Sequence, residues 1–314
     1  GFTSASIPSG GSLTLRAGTV AKSGSGGELT VNGTLIAEGT SEFPVYLTSL
    51  KDDSVGGDTD GDGGAPAAGN WGYVQVSGGG ASATLNHTYI RYGRGGGNST
   101  DRYAVVFVDT GAALTINGGG IEDSVYHGLS GYGSGDVVLR DAVVSRNGSG
   151  SGYYNYGGIS SATNNMSGLT LERVTAANNT WSGVTWHGSA LTITDSVIES
   201  NGRNGVYARV NGLTVTGSTF QNNTSSGVYA ANVDASVVEI VGAAFMSNGA
   251  SGAQIANGSM TITDSAFSDN IACGIAASNA FVSVADSRFY GNVGFGISNS
   301  TPEKVVEATG NWWG

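Results

Sequence analysis

The sequence predicts an all-β solenoid in which short coils stack through parallel strands. Three observations support this: a 22-residue self-repeat, three columns of equivalent residues shared by the repeats, and two-residue alternation between those columns. The repeat is plainest where LTITDSVIESNGRNGVYA, starting at Leu191, recurs as LTVTGSTFQNNTSSGVYA, starting at Leu213. A period of about 20 to 50 residues is typical of repeat architectures. Looser copies begin at Leu114, Val137, Leu169, Val238, Met260 and Val282.

The first column is apolar and lies seven residues into each unit. Apolar residues that recur once per coil are expected to stack on one another inside a solenoid. The column therefore predicts an interior ladder. Its members are Ile121, Val144, Ala176, Ile198, Phe220, Phe245, Phe267 and Phe289.

The second column lies three residues further on and consists of asparagine. Asparagine tolerates left-handed turns, and its amide can hydrogen-bond neighbouring backbone. We therefore expect these side chains to bond from coil to coil. They are Asn147, Asn179, Asn201, Asn223, Asn248, Asn270 and Asn292.

The third column is glycine, and an apolar residue follows each member. Glycine permits backbone conformations that other residues avoid, so the column predicts a sharp bend before a strand. Its members are Gly128, Gly183, Gly205, Gly227, Gly252, Gly274 and Gly296.

Between the turns, apolar and polar residues alternate, as they do from Leu191 to Thr194 and from Gly205 to Ala208. This two-residue period is typical of strands with one buried face. No stretch shows a convincing helical stripe, and coils this short have no room for crossover helices. Each strand must therefore pair in parallel with its counterpart one coil away. We predict one parallel β-helix domain over residues 1–314, with roughly eleven or twelve coils.

The three columns resemble those of the right-handed parallel β-helix, or pectin-lyase-like, superfamily, and the resemblance covers nearly the whole chain. The segment from Leu29 to Ser49 resembles the opening coils of bacterial surface β-helices, and Asn311-Trp312-Trp313-Gly314 resembles a closing-coil motif. The resemblance implies a right-handed, single-stranded parallel β-helix that is secreted or displayed on a cell surface. It also suggests a fragment of a larger surface protein, with adjacent domains in the parent chain. It identifies a fold and a setting, and leaves the reaction open.

Composition limits the possible partners. The formal charge is −11 with only 13 Lys and Arg, which disfavours nucleic acid because phosphate binding relies on clustered cations. It also disfavours a bare polyanionic glycan unless a metal bridges the two. No apolar run is long enough to cross a membrane, so we expect no membrane insertion by this segment.

An acidic insertion at residues 51–70 is the strongest local motif. Alternating carboxylates followed by a glycine turn suit calcium, which takes six to eight oxygen ligands. The closing Glu of an EF-hand loop is missing, because Gly69 occupies that spacing. We therefore expect a structural Ca2+ site that is not an EF-hand, with a solvated acidic loop as the alternative. The candidate ligands are Asp52, Asp53, Asp58, Asp60 and Asp62.

An aromatic face is expected on the strands that follow the glycine column. If Val206 and Val228 point inward, alternation places Tyr207 and Tyr229 outward on neighbouring coils. Turn insertions at 93–103 and 149–157 bring more aromatic and cationic residues to the same side. Rings can stack on sugars while polar groups bond hydroxyls, although tyrosine also favours strand surfaces for structural reasons. The candidate carbohydrate-binding residues are Arg102, Tyr103, Tyr153, Tyr154, Tyr156, His187, Tyr207, Arg209 and Tyr229.

The sequence thus favours a calcium-stabilised, non-catalytic extracellular module for adhesion or carbohydrate binding, whose partner is a polysaccharide or a cell-surface glycan. The alternative is a polysaccharide lyase or glycoside hydrolase on the same face, with His187 or Arg209 as base and Tyr207 as acid. Its weakness is that the outward positions near Tyr207 offer no acid pair, so catalytic residues stay unassigned. Lesser alternatives are a structural spacer and ice binding by outward threonines such as Thr192 and Thr214.

Overall fold

The computed structural model describes residues 2–96, 103–133, 135–150, 156–161, 166–231 and 237–314. All regular elements in these residues are β-strands, which confirms the all-β prediction. The first fourteen are β1 (Phe2–Ile7), β2 (Ser12–Arg16), β3 (Val20–Val31), β4 (Thr34–Glu38), β5 (Val45–Ser49), β6 (Tyr73–Val76), β7 (Ser82–Arg91), β8 (Ala104–Val108), β9 (Ala113–Glu122), β10 (His127–Gly131), β11 (Asp136–Ser145), β12 (Ile159–Ser161), β13 (Met166–Glu172) and β14 (Thr175–Ala177). The remaining strands are β15 (Val184–Thr194), β16 (Val197–Glu199), β17 (Val206–Thr216), β18 (Thr219–Gln221), β19 (Val228–Ala231), β20 (Val237–Val241), β21 (Ala244–Met246), β22 (Ala253–Thr263), β23 (Ala266–Ser268), β24 (Ile275–Ala285), β25 (Arg288–Tyr290), β26 (Ile297–Asn299), β27 (Val306–Thr309) and β28 (Trp312–Trp313).

Each coil contributes one segment to each of three parallel sheets. In a representative coil, residues 212–216 lie in what we name the first sheet, residues 219–221 in the second and residues 228–231 in the third. Long strands such as β17 bend from one sheet into the next. In the first sheet, parallel pairings link twelve rungs from β2 to β27, in agreement with the predicted eleven or twelve coils.

The apolar column forms the predicted interior ladder. Phe220 and Phe245 stack with ring centroids 5.0 Å apart, and Phe267 lies 4.7 Å beyond Phe245. Phe289 follows at 5.0 Å, and Trp313 continues the stack at 4.6 Å. All four phenylalanines are buried. Offset aromatic stacking adds to the free energy already gained by burying the rings.

The asparagine column forms a continuous hydrogen-bonded ladder from Asn147 to Asn292. In a typical rung, the Asn201 amide donates to Asn223 Oδ1 at 3.0 Å and to the Ala176 carbonyl at 3.0 Å. Its own Oδ1 accepts from the backbone and the side chain of Asn179. The predicted bonding from coil to coil is confirmed. The left-handed residue, however, is the one before the ladder asparagine, as at Ser200 with φ of 54°.

The glycine column marks the predicted bend, because the chain bends at every member except Gly128 directly before a strand. None of these glycines has a positive φ, and close packing gives a second reason for glycine here. A Cβ built on Gly183 would lie 2.8 Å from Asn201 Nδ2 and 2.9 Å from the Gly205 carbonyl oxygen. A Cβ on Gly252 would lie 2.8 Å from the Gly274 carbonyl oxygen and 2.8 Å from the Phe267 ring. Glycine is needed because the asparagine ladder and the next coil approach the backbone closely.

A serine ladder at the turn between the first and second sheets was not predicted. The Ser196 backbone N–H donates to Ser218 Oγ at 3.1 Å, and the Ser265 N–H donates to Ser287 Oγ at 3.1 Å. At the last rung the Ser287 backbone N–H donates to Asn311 Oδ1 at 2.9 Å, so an asparagine replaces the serine as acceptor. The signal was present in the sequence, because a serine lies five residues after the start of four of the eight units, at Ser196, Ser218, Ser265 and Ser287.

Candidate functional site

The outward face of the third sheet carries the candidate aromatic site. Val206 and Val228 are fully buried, so alternation turns Tyr207 and Tyr229 toward solvent, where both are half-buried. Register places Tyr207 directly opposite Tyr229 on adjacent rungs. The predicted inward and outward assignments therefore hold for these strands.

The two tyrosine rings make an angled pair. Their centroids lie 5.4 Å apart with an interplanar angle of 78°, an edge-to-face contact. Arg209, two residues beyond Tyr207, is exposed and forms no ion pair with any described residue. The arrangement offers two aromatic surfaces beside a free guanidinium group.

His187 lies next to this pair and is more enclosed than predicted. Its ring meets Tyr207 edge to face at 5.8 Å, and register sets it opposite Arg209. Its Nε2 is inaccessible and has no hydrogen-bond partner. Burial, helped by the nearby Arg209 charge, lowers the pKa of His187 below its ordinary value. The lowered pKa favours the neutral imidazole, and the enclosed Nε2 is not accessible to a ligand.

Two other predicted carbohydrate-binding residues, Tyr103 and Tyr156, lie away from this face, in the turn that precedes the third sheet. Tyr156 is only 5% exposed and packs 4.6 Å from Tyr126, which lies 4.7 Å from Tyr103. The structure corrects the prediction for Tyr156: its ring fills the turn and is not free to stack on a ligand. Tyr103 is half-buried in the same cluster.

The predicted residues Arg102, Tyr153 and Tyr154 lie outside the described residues. Sequence reasoning left out two members of the turn cluster, Tyr126 and the buried His127, whose ring is 5.4 Å from Tyr156. The equivalence of Tyr126 to Tyr103, which follows from the pairing of His127 with Ala104, is hidden in the sequence because insertions of different length separate these coils.

The acidic insertion brings three of its five predicted ligands together. One carboxylate oxygen from each of Asp53, Asp58 and Asp60 lies within 4.8 Å of the others. Asp53 Oδ1 is buried without a hydrogen-bond partner. Burial and repulsion from Asp58 raise the pKa of Asp53. A cation at this point would satisfy the unpartnered oxygen and remove the repulsion.

Asp52 is drawn into a separate structural network. Its side chain is fully buried and accepts hydrogen bonds from Thr48 Oγ1 at 2.7 Å, Ser54 Oγ at 2.5 Å and Arg91 Nη2 at 2.7 Å. Burial disfavours its charge, but the hydrogen bonds from Ser54 and Thr48 and the Arg91 charge outweigh burial and lower the pKa. These bonds occupy both carboxylate oxygens and separate Asp52 from the acidic cluster.

Asp62 also has another partner. Lys51 Nζ lies 2.9 Å from its Oδ2, and the Gly64 backbone N–H donates to its Oδ1 at 2.7 Å. The hydrogen bond from Lys51 lowers the pKa of Asp62. The described structure thus divides the five predicted ligands into a cluster of three and two carboxylates engaged elsewhere.

Comparisons with known proteins agree with the architecture. Residues 157–312 match the family model described as "Right handed beta helix region". No curated protein matches the sequence. None of the described elements is a helix long and apolar enough to span a membrane.

Solved structures of similar shape include a mutant of the periplasmic alginate epimerase AlgG, at 13% identity and a TM-score of 0.62, covering 96% of this chain and 77% of that chain. The Azotobacter vinelandii mannuronan C-5 epimerase AlgE4 A-module matches at 15% identity and a TM-score of 0.49, covering 96% and 88%. PfbA, a surface adhesin of Streptococcus pneumoniae, matches at 11% identity and a TM-score of 0.39, covering 96% and 87%. Of these three, the likeness to AlgG has a TM-score above 0.5, and at 13% identity it shows the fold alone.

Proposed function

Since the chain is a right-handed parallel β-helix with the pectin-lyase-like fold, we propose that it is a non-catalytic extracellular module for carbohydrate binding or adhesion. The observation that carries the proposal is the Tyr207–Tyr229 pair beside the unpaired Arg209 on one exposed strand face. A sugar ring would stack on a tyrosine while the guanidinium group donates to its hydroxyls. Its partner would be a polysaccharide or a cell-surface glycan.

The similarity in shape to a periplasmic alginate epimerase supports both a polysaccharide partner and a location outside the cytoplasm. This support is an analogy between folds, because one fold hosts many functions. The proposal must therefore be tested by substituting residues of the third-sheet face itself.

Substitution of Tyr207 tests the proposal directly. Tyr207→Ala removes a stacking surface and should weaken retention on a glycan by about tenfold. Tyr207→Phe is the matched control, because it keeps the ring and should retain most of the affinity. The measurement is a glycan-array screen of the purified chain, followed by titration of each hit with both variants. Equal binding by wild type and Tyr207→Ala would exclude this face.

A polysaccharide lyase or hydrolase acting on the same face is the second candidate. His187, Tyr207 and Arg209 adjoin one another there. However, no Asp or Glu points outward from the described third-sheet rungs between residues 184 and 231, and glycoside hydrolysis ordinarily needs a pair of carboxylates. Incubation of each glycan hit, with assays for new reducing ends and unsaturated products, decides between the two. Turnover lost in Tyr207→Phe would establish catalysis and overturn the non-catalytic assignment.

We further propose that Asp53, Asp58 and Asp60 hold a structural Ca2+ ion. A metal that binds only the folded chain stabilises it by about 2.7 kcal/mol at a hundredfold excess over Kd. Thermal unfolding in millimolar calcium should therefore occur at a higher temperature than in EDTA. This proposal is separate from glycan binding and is tested without a glycan.

Two variants make the calcium test specific. Asp60→Asn should abolish the calcium-dependent rise in Tm, because it removes a charge from the cluster of three. Asp62→Asn is the control and should keep the rise, since Asp62 pairs with Lys51. No calcium effect on the wild type, or the same effect in Asp60→Asn, would rule out this site.

A further inference from the structure

A second ring-lined pocket lies on a different face of the solenoid, on the second sheet. Its volume is about 510 Å3, and it is lined by Arg288, Tyr290 and Trp312. Arg288 and Tyr290 are alternate residues of β25, and Arg288 pairs in register with Trp312 on β28. All three side chains are exposed, Tyr290 by 39% and Trp312 by 56%. None of these residues belongs to the face discussed above.

The two adjacent tryptophans have different environments. Trp313 extends the phenylalanine stack, 4.6 Å from Phe289 and nearly parallel to it, although 52% of its surface is exposed. Trp312 points outward and meets Tyr290 at 6.1 Å with an interplanar angle of 62°. Stacking on the phenylalanine ladder therefore accounts for Trp313, whereas Trp312 takes no part in that stack.

The pocket is open to solvent and presents two aromatic rings to a ligand. The rings of Tyr290 and Trp312 stand at a steep angle, so one can form a floor and the other a wall. On the preceding rung, Ala266 and Ser268 stand opposite Arg288 and Tyr290. Their side chains are small, so they do not wall off that end of the pocket. Ligand pockets of this size combine apolar surface with a few polar groups that fix orientation.

The charges favour a neutral ligand. Among the described residues, no carboxylate lies within ion-pair distance of Arg288, so its guanidinium donors are free. The exposed carboxylates of Asp269 and Asp286 lie against Gly291 and Gly310, which flank the two pocket strands. Two carboxylates thus lie on the turns beside the pocket strands, and the chain as a whole carries −11. This negative charge disfavours a carboxylated or sulfated sugar and does not affect a neutral pyranose.

We propose that Arg288, Tyr290 and Trp312 form a second carbohydrate subsite, which binds one pyranose ring of a neutral glycan. The sugar stacks on Trp312, Tyr290 closes one side, and Arg288 donates hydrogen bonds to the hydroxyls. The subsite uses other residues and another sheet than the Tyr207 face, so it stands whether or not that face binds glycan.

The test is titration of the purified chain with neutral oligosaccharides, namely cello-, malto-, manno-, xylo- and chito-hexaoses, and with oligogalacturonate as the anionic counterpart. Tryptophan emission and calorimetry report binding. We expect at least one neutral glycan to bind, with affinity reduced about tenfold or more in Trp312→Ala and in Arg288→Ala. Trp312→Phe should lose less, because it keeps a ring. Salt should change the affinity little.

Matched variants separate the two faces. Thr214→Ala, on the exposed face of the first sheet, should leave this binding unchanged, and a glycan that binds the Tyr207 face should still bind Trp312→Ala. Because Trp312 is exposed, its variants should keep the wild-type Tm, which excludes misfolding as the cause. The subsite is overturned if no neutral glycan binds, if only oligogalacturonate binds, or if Trp312→Ala binds as tightly as wild type.

Discussion

At the scale of the residue, Gly205 has no space for a side chain. A Cβ built there would lie 2.5 Å from the Gly227 carbonyl oxygen and 2.9 Å from Asn223 Nδ2. Real Cβ atoms do not come this close to backbone, and the packed coils cannot move apart at one point. Gly212 differs, because a Cβ there would meet nothing within 4 Å and its φ is not positive.

The contrast predicts opposite effects of one substitution. Gly205→Ala should destabilise the chain by about 2 to 4 kcal/mol, because the added methyl group displaces a neighbouring coil. Gly212→Ala should be neutral or stabilise by up to about 1 kcal/mol, because alanine restricts the unfolded chain. Urea unfolding of both variants measures the difference. Similar losses in the two would show that close approach is not the reason for the glycine column.

At the scale of the element, the asparagine ladder connects one turn of every coil from Asn147 to Asn292. Each internal asparagine donates to the next asparagine and to a carbonyl of the preceding coil, and accepts from the asparagine before it, as Asn201 does. The groups are buried, so a missing partner cannot be replaced freely by water. The ladder therefore behaves as one network.

Removal of an internal member should disrupt more than one bond. Asn201→Ala removes one hydrogen-bond partner from each of four groups: the Asn179 backbone N–H, the Asn179 side-chain amide, the Ala176 carbonyl and Asn223 Oδ1. We expect a loss of roughly 2 to 5 kcal/mol. Thr214→Ala, on the exposed face of the first sheet, is the control and should change stability by less than about 0.5 kcal/mol. Chemical denaturation compares them. A loss below 1 kcal/mol in Asn201→Ala would contradict a cooperative ladder.

At the scale of the whole molecule, the buried His127 links global stability to pH. Its Nδ1 accepts the Gly157 N–H at 3.0 Å, and burial lowers its pKa to about 4. In the unfolded chain its pKa returns to about 6.5. Between these values the unfolded state takes up a proton that the folded state does not. The contribution to stability is therefore complete above about pH 6.5 and declines as the pH falls toward 4.

We expect the free energy of unfolding to fall by about 2 kcal/mol between pH 7 and pH 5 through His127. His127→Asn, which keeps a hydrogen-bond acceptor but does not titrate, should flatten this dependence. Urea unfolding at the two pH values gives the slope. If His127→Asn retains the full wild-type slope, another group is responsible.

Much of the fold could be predicted because each type of contact recurs in many coils, so the residues that make it form a visible column in the sequence. The phenylalanine stack, the asparagine ladder and the outward Tyr207 follow from columns and alternation alone. The candidate sites were less predictable, since each occurs once. Nothing in the sequence separates Asp52, which accepts a hydrogen bond from Arg91 on the adjacent coil, from Asp53 in the acidic cluster.

The sequence by itself determined the all-β solenoid, its parallel register and the residues of its ladders. These features follow from a short sequence repeat, because each coil packs against a neighbour of similar sequence. Only the tertiary structure decided that Tyr156 is buried in a turn, that His187 Nε2 is enclosed, and that Arg288, Tyr290 and Trp312 form a pocket. The physical reason is that burial and charge at such positions depend on insertions and on neighbours from other coils, which no periodic pattern encodes.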